Sequence, residues 1–200
     1  MASWSMAEVA TVEQALLAQI ETQKAALGDA EPRLRAVRLQ AMRDFTAAGL
    51  PTRKDEAWRW TDLRALRDVR PGAPRAVGDS GQARGPFAAF DAYGLKFENG
   101  VFHAAQSSLA DLPAGVRVGS LRAALQGDPA LIDCIANAGH SVFLTLNTAL
   151  LNDGAFIRIE PKVRLNKPLH LMFFNTGASQ ARNLILLGDG AAHQGQVYEA

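Results

Sequence analysis

The hydrophobic positions of this chain change their spacing along its length. Leu16, Leu17, Ile20 and Leu27 recur at three and four, the spacing of an amphipathic helix. Thr11-Val-Glu-Gln14 has the form of a capping box, with Thr at the N-cap and Gln three positions on, and Gly28 supplies a stop. A second helix is predicted from Pro32, which suits a first turn, through Leu34, Val37, Ala41, Met42 and Phe45. Gly49-Leu50-Pro51 then reads as a Schellman-type C-cap. Arg33, Arg35, Arg38 and Arg43 fall on the outer face of this helix. They read as a solvated face, with an acidic partner as the alternative.

Asp68 to Pro86 breaks the pattern. Seven of its nineteen residues are Pro or Gly, and it holds no Leu, Ile or aromatic residue. Such a stretch cannot bury enough surface to offset its ordering entropy, so a mobile linker is expected. Structure is expected again from Phe87. Leu95 to Glu98, Asn99-Gly100 and Val101 to Ala104 give a two-residue hairpin signal. Val116 to Val118 reads as a strand, and Ser120 as the cap of a short helix through Leu125. Asp128-Pro129 opens a predicted helix from Ala130 to Ala138, with Cys134 inside it and Gly139 as its stop. Val142 to Leu151 reads as a helix with Phe143, Leu146 and Leu150 on one side, a strand being the alternative.

After Asn152-Asp-Gly154 the period becomes two. Ala155 to Glu160, Val163 to Leu165, Leu169 to Asn175 and Asn183 to Leu187 read as short strands between Pro, Asn, Gly and Ser turns. Short strands so spaced suit a sandwich, a barrel or a β-helix, and periodicity does not choose among them. The fold class is α+β. Four segments follow: a helical region over 1–67, the linker over 68–86, a mixed region over 87–151 and a strand-rich region over 152–200.

Composition narrows the function classes. The 48% hydrophobic and 20% charged content is ordinary for a globular protein. A net charge of +1 gives no electrostatic reason to expect nucleic acid or an anionic membrane as partner. One cysteine excludes an internal disulfide framework and fits a reducing, cytoplasmic compartment. The first residues lack the basic and apolar regions of a signal peptide, and no apolar run reaches the ~20 residues of a membrane span.

One stretch stands apart: Pro51-Thr-Arg-Lys-Asp-Glu-Ala-Trp-Arg-Trp-Thr-Asp-Leu63. Its residues predict a short helical segment with Thr52 as N-cap and Asp55 and Glu56 in the first turn, where the helix dipole favours acids. Trp58 is expected to pack inward, because Leu63 and Leu66 continue an apolar side. The string resembles the N-terminal signature of SufD members of the SufB/SufD family, which serves the SUF machinery of iron–sulfur cluster assembly. Pro51, Thr52, Arg53, Lys54, Glu56, Trp58 and Thr61 match the signature, and Trp60 stands where an aromatic is usual. The order of elements downstream is similar up to about Leu187.

The resemblance implies the opening rungs of a right-handed parallel β-helix in the last segment. It implies that the chain is an N-terminal part lacking the rest of the β-helix and a C-terminal helical domain. It also implies a non-catalytic scaffold that pairs with a SufB-like paralogue and a SufC-like ATPase. The iron–sulfur cluster is then handled by the full complex, with no cofactor bound by this chain alone.

The residues offer little chemistry of their own. Cys134, beside Ile132 and Ile135, reads as a small buried hydrophobe. Iron–sulfur clusters usually take four protein ligands, mostly thiolates, which one cysteine cannot supply. His103, His140, His170 and His193 fall in different elements, so no metal or catalytic residue is assigned. Gly188-Asp-Gly-Ala-Ala-His-Gln-Gly-Gln-Val-Tyr-Glu-Ala200 resembles the diphosphate-binding segment of thiamine-dependent 2-oxoacid dehydrogenase E1 α subunits. Such a site joins a carboxylate on Mg²⁺ to a helix N-terminus, and the second half of the motif has no room here. A fragment carrying half of that site is one alternative reading; an interaction module without a cluster role is another.

Limited trypsin digestion is expected to cut the linker first, after Arg70, Arg75 or Arg84. First cuts within Thr11 to Phe45 would show the flexible segment to lie elsewhere.

Overall fold

A computed structural model describes residues 12–25, 31–61, 63, 90–137, 139, 141–177 and 179–193. The expected linker, Thr11, Leu27, Leu66 and His140 lie outside these residues. The chain divides into two compact units, one of residues 1–72 and 139–150, the other of 73–138 and 151–200.

The first unit is helical. Helix α1 spans Val12–Ala25 and α2 spans Pro32–Ala48. Helix α5, Val142–Ala149, returns from late in the chain to join them. Leu16 and Ile20 of α1, Ala41, Met42 and Phe45 of α2, and Leu146, Ala149 and Leu150 form the core. Helix α2 opens with Glu31 accepting from the Leu34 amide and Pro32 in the first turn. Ser141 accepts from the Leu144 amide at the start of α5, which settles Val142 onward as helix rather than strand; the helix ends at Ala149.

Two expectations fail here for physical reasons. Gly49 does not close a Schellman motif. Its amide donates to the Phe45 carbonyl, but its backbone then extends at φ 65°, ψ −168°. The Leu50 amide turns away from α2 and donates to the Glu13 carboxylate at 3.2 Å. A Cβ at Gly49 would crowd Glu13 Oε1, so the glycine permits both the conformation and the approach. Arg38 is not on the solvated face; it is 8% exposed. Its Nε and Nη2 donate to the Ala149 carbonyl, each at 3.3 Å, and Nη2 also reaches Gln23. A C-terminal helix carbonyl has no intrahelical donor, and a guanidinium supplies one.

The second unit carries the sheets. Strand β1, Tyr93–Glu98, turns through Asn99 and Gly100, both at positive φ, into β2, Val101–Phe102. The register pairs Phe97 with Phe102, the two-residue hairpin that the sequence predicts. Strand β3 is Val116–Ser120, and Ser120 caps α3, Leu121–Gly127. The helix expected over Ala130 to Ala138 is shorter and broken. Asp128 and Pro129 open a 3₁₀ turn over Pro129–Leu131, and α4 covers only Ile132–Ala136. Cys134 is exposed, against expectation. Ile132 and Ile135 take the inner side of this short helix, and residue 134, two positions after the first, turns away from them.

Strands β4 (Ala155–Ile159), β5 (Arg164–Leu165), β6 (Leu169–Phe174), β7 (Leu184–Leu187) and β8 (Ala192–His193) follow. The sheet orders are β2-β1-β6, β3-β4-β7 and β5-β8. Three parallel pairings share one displacement: Asp153 meets Ala181, Phe156 meets Leu184 and Arg164 meets Ala192, each partner 28 residues further on. β6 lies parallel to β1, Tyr93 opposite Leu169. Tyr93, Leu95, Phe97, Val116, Ala155, Ile157, Ile159 and Leu165 are the buried core, and Phe97 stacks on Phe173 at 4.7 Å.

Asp153 ties these strands together. It is 4% exposed. Its Oδ1 accepts from the Ser120 hydroxyl at 2.9 Å, the Arg122 amide at 3.0 Å and the Gly154 amide at 2.8 Å. Its Oδ2 accepts from the Phe102 amide at 3.1 Å. An unsatisfied buried donor costs about 1–3 kcal/mol. Asp153→Ala is therefore expected to lower unfolding stability by about 3 kcal/mol or more, read from urea melts at constant slope. A loss under about 1 kcal/mol would show that water replaces the carboxylate.

Candidate functional site

The Pro51–Thr61 stretch folds as a tight loop around one 3₁₀ turn, Glu56–Trp58. Thr52 does not cap it. The direction is reversed: the Thr52 amide and hydroxyl donate to Asp55 Oδ2 at 2.6 and 3.1 Å. The Asp55 amide returns a bond to the Thr52 carbonyl, and the Lys54 amide reaches Thr52 Oγ1. The two Thr52 donors, the amide first, hold the Asp55 carboxyl below its ordinary value. That contribution is present above the ordinary carboxylate range and fades as pH falls through the lowered value.

Pro51 is buried and Trp58 half-buried, its ring edge-on to Phe143 at 5.1 Å. Trp60 points the other way and is 83% exposed. The Arg59 guanidinium lies 4.6 Å from the centre of its ring, and Arg53 Nε donates to the Arg59 carbonyl. Arg53, Lys54, Glu56 and Thr61 are exposed. Of the signature residues, then, Pro51 and Trp58 anchor the loop and the others are presented outward.

Sequence reasoning passed over a second constellation. Lys96 is 4% exposed, and its Nζ lies 3.4 Å from Glu98 Oε1 and 5.0 Å from the Phe174 ring centre. His103 Nε2 lies 3.4 Å from the other oxygen of Glu98. The signal was available. Period two puts residues 96 and 98 on one strand face, and the Asn-Gly turn sets His103 opposite Lys96, whose carbonyl accepts the His103 amide. The shared carboxylate bridges the Lys96 ammonium and the His103 imidazole.

Among the described residues no group of three or more His, Cys, Asp or Glu side chains is placed to hold a metal ion. His103 and His170 lie on different strands' neighbourhoods, and Cys134 sits on α4. Among the described residues, no helix is long and apolar enough to cross a membrane. An open cleft of about 440 Å³ borders the β4 and β7 ends, walled by Arg158, Glu160, Asp128, Leu131 and Leu187. Arg158 Nε is engaged with Glu160 at 3.1 Å. The thiamine-like stretch does not begin a helix at its described end. Gly188-Asp-Gly190 is a turn, Asp189 accepts the Lys162 amide through its carbonyl, and Ala192–His193 is a strand beside β5. A strand there offers no helix N-terminus to a diphosphate.

Residues 88–171 match the family model of the SufBD protein N-terminal region. The match runs from just before β1 into β6, and the Pro51–Thr61 loop lies outside it. The chain is also 29% identical over 181 residues to an iron–sulfur cluster assembly SufBD family protein of Synechocystis sp.. That similarity takes in 80% of this chain and 40% of the relative, so the chain spans well under half of the relative's length. Residues 88–171 are thus similar to the SufBD N-terminal region, and the chain as a whole to a protein of that family.

Proposed function

We propose that the chain serves iron–sulfur cluster assembly as a SufD-type scaffold subunit of a SufBCD-type complex. The observation that carries this reading is the match of residues 88–171 to the SufBD N-terminal region. The Synechocystis relative, named for cluster assembly, supports the same direction. In this reading the chain pairs with a SufB-like paralogue and a SufC-like ATPase in the cytoplasm and performs no catalysis itself.

The 28-residue displacement shared by three of the four parallel pairings supports a β-helical coil; the β1–β6 pairing, Tyr93 opposite Leu169, stands apart from it. A solenoid of equal rungs sets each strand on the one a fixed distance earlier, whereas a sandwich or meander mixes displacements. β4, β5 and β6 would form one coil, with β7 and β8 beginning the next. The right-handed β-helix and its continuation are part of the proposal.

A scaffold that holds a cluster only within the complex needs no ligand set of its own. One exposed thiol cannot supply the usual four ligands. The complex supplies the rest, and the iron–sulfur cluster is its cargo.

The test is co-expression of the chain with SufB-like and SufC-like proteins, followed by affinity purification on a tag carried by this chain. Co-elution of the SufB-like protein in stable stoichiometry is expected. Its absence, with the chain folded, would overturn the scaffold reading. Anaerobic reconstitution of the chain alone with iron and sulfide is expected to give under about one cluster per several monomers. A stoichiometric chromophore lost on Cys134→Ser would instead make Cys134 a ligand.

A further inference from the structure

Asn99-Gly100 is the one Asn-Gly pair in the 200 residues, and the fold uses it twice. It makes the turn between β1 and β2, with Asn99 at φ 50° and Gly100 at φ 76°. It also ties that turn to the chain leaving β6. The Asn99 amide donates to the Phe174 carbonyl at 2.8 Å. The Asn99 carboxamide oxygen accepts from the Thr176 amide at 2.9 Å and from the Thr176 hydroxyl at 3.0 Å. Gly100 is buried, and a Cβ added to it would press on the Ser179 side chain at 3.4 Å. The same dipeptide carries a chemical liability. Glycine has no side chain to shield its amide, so the nitrogen of residue 100 is accessible to the carboxamide carbon of the residue before it.

We propose that Asn99 is a covalent modification site that the fold holds shut, and that Thr176 is the residue holding it. The reaction takes water as its only co-reactant. The Gly100 nitrogen attacks Asn99 Cγ; an N–C bond forms there and the Cγ–Nδ2 bond breaks. The proton given up by the Gly100 nitrogen is matched by the one that Nδ2 takes from solvent as it leaves as ammonia. Water then opens the cyclic imide at either carbonyl, leaving aspartate or isoaspartate at position 99. No electrons change hands. In the folded chain neither partner is placed to begin. Ring closure swings the carboxamide onto its own following amide, away from Thr176, and rotates the Gly100 peptide out of the hairpin turn that sets Glu98 opposite Val101. The reaction therefore runs through a local opening, at the open-chain rate scaled by the open fraction. The two products differ in consequence. Aspartate keeps an acceptor for Thr176. Isoaspartate lengthens the main chain within a two-residue turn, which disturbs the pairing that seats the Phe102 amide on Asp153. The turn is thus a one-way record of opening in the sheet-bearing unit. The inference is independent of the scaffold reading.

The test incubates the full chain in mildly alkaline buffer and follows conversion of Asn99 by peptide-mapping mass spectrometry, with an isoaspartyl methyltransferase assay for the isomer. A synthetic peptide of residues 95–104 gives the open-chain rate. The folded chain is expected to react about tenfold or more slowly than the peptide. Thr176→Val removes the hydroxyl donor and keeps the side-chain shape, and it is expected to react about threefold or more faster than the parent. Thr176→Ser keeps the hydroxyl and is expected to stay near the parent rate. Thr176 is exposed, so both variants are expected to fold. Should Thr176→Val unfold, sub-denaturing urea on the parent carries the same comparison: conversion is expected to climb in step with hydrogen exchange of the Asn99 amide. A folded chain that reacts as fast as the peptide, a peptide in which Asn99 stays intact, or a Thr176→Val rate equal to that of the parent or of Thr176→Ser would overturn the proposal. So would a Thr176→Val chain slower than the parent, which would make the Thr176 donors stabilisers of the attacked carbonyl rather than a restraint.

Discussion

The Asp153 carboxylate is the point on which the sheet-bearing unit depends. Four donors from β2, the β3–α3 junction and the start of β4 converge on it away from water. A buried carboxylate is costly unless its oxygens are bonded, and here each oxygen has at least one donor. The consequence is register. The hairpin, the cap of α3 and the entry to β4 are fixed against one group, so a slip of any one would strand donors as well as turn side chains over. The Asp153 carbonyl extends the knot by accepting the Arg182 amide, which starts the next parallel layer. Gly154 makes that layer possible. A Cβ there would run into the Arg182 backbone, so only glycine lets the two chain segments lie so close.

What was legible in the sequence was whatever a local rule decides. The Asn99-Gly100 turn, the Ser120 cap, Pro32 in a first turn and the apolar period of α1 and α2 each rest on residues a few positions apart. What was not legible depended on partners far along the chain. Nothing near Arg38 announces that its guanidinium will find a carbonyl 111 positions later. Nothing near Leu50 announces Glu13. Asp153 looked like half of an Asn-Asp-Gly turn, and its role appears only when Phe102, Ser120 and Arg122 arrive around it. Cys134 fails differently. Its neighbours Ile132 and Ile135 are buried, yet inward positions three apart in a helix turn the two residues between them outward.

The candidate site shows the same division. A period of two and a hairpin register suffice to bring Lys96, Glu98 and His103 together, so that cluster could have been read from the residues alone. In the signature loop, residues two apart cannot share a helix face, so the different settings of Trp58 and Trp60 were readable, but Phe143 as the neighbour of Trp58, 85 positions on, was not. The reversal of the Thr52 and Asp55 bonds was not. Both residues cap and both accept, and only the length of the turn decides which serves which.

The two features belong to different units of the chain. The matched region, residues 88–171, lies mostly in the sheet-bearing unit, where strand register and the Asp153 knot set what can vary. The loop lies in the helical unit, held by buried Pro51, by Trp58 against Phe143 and by the Thr52–Asp55 bonds. A residue packed in a core is explained by the core. Trp60 stands outside any core, beneath an arginine, at the position where the signature it resembles usually has an aromatic. The 88–171 similarity therefore rests on the sheet-bearing unit, and the signature loop on its own local anchors.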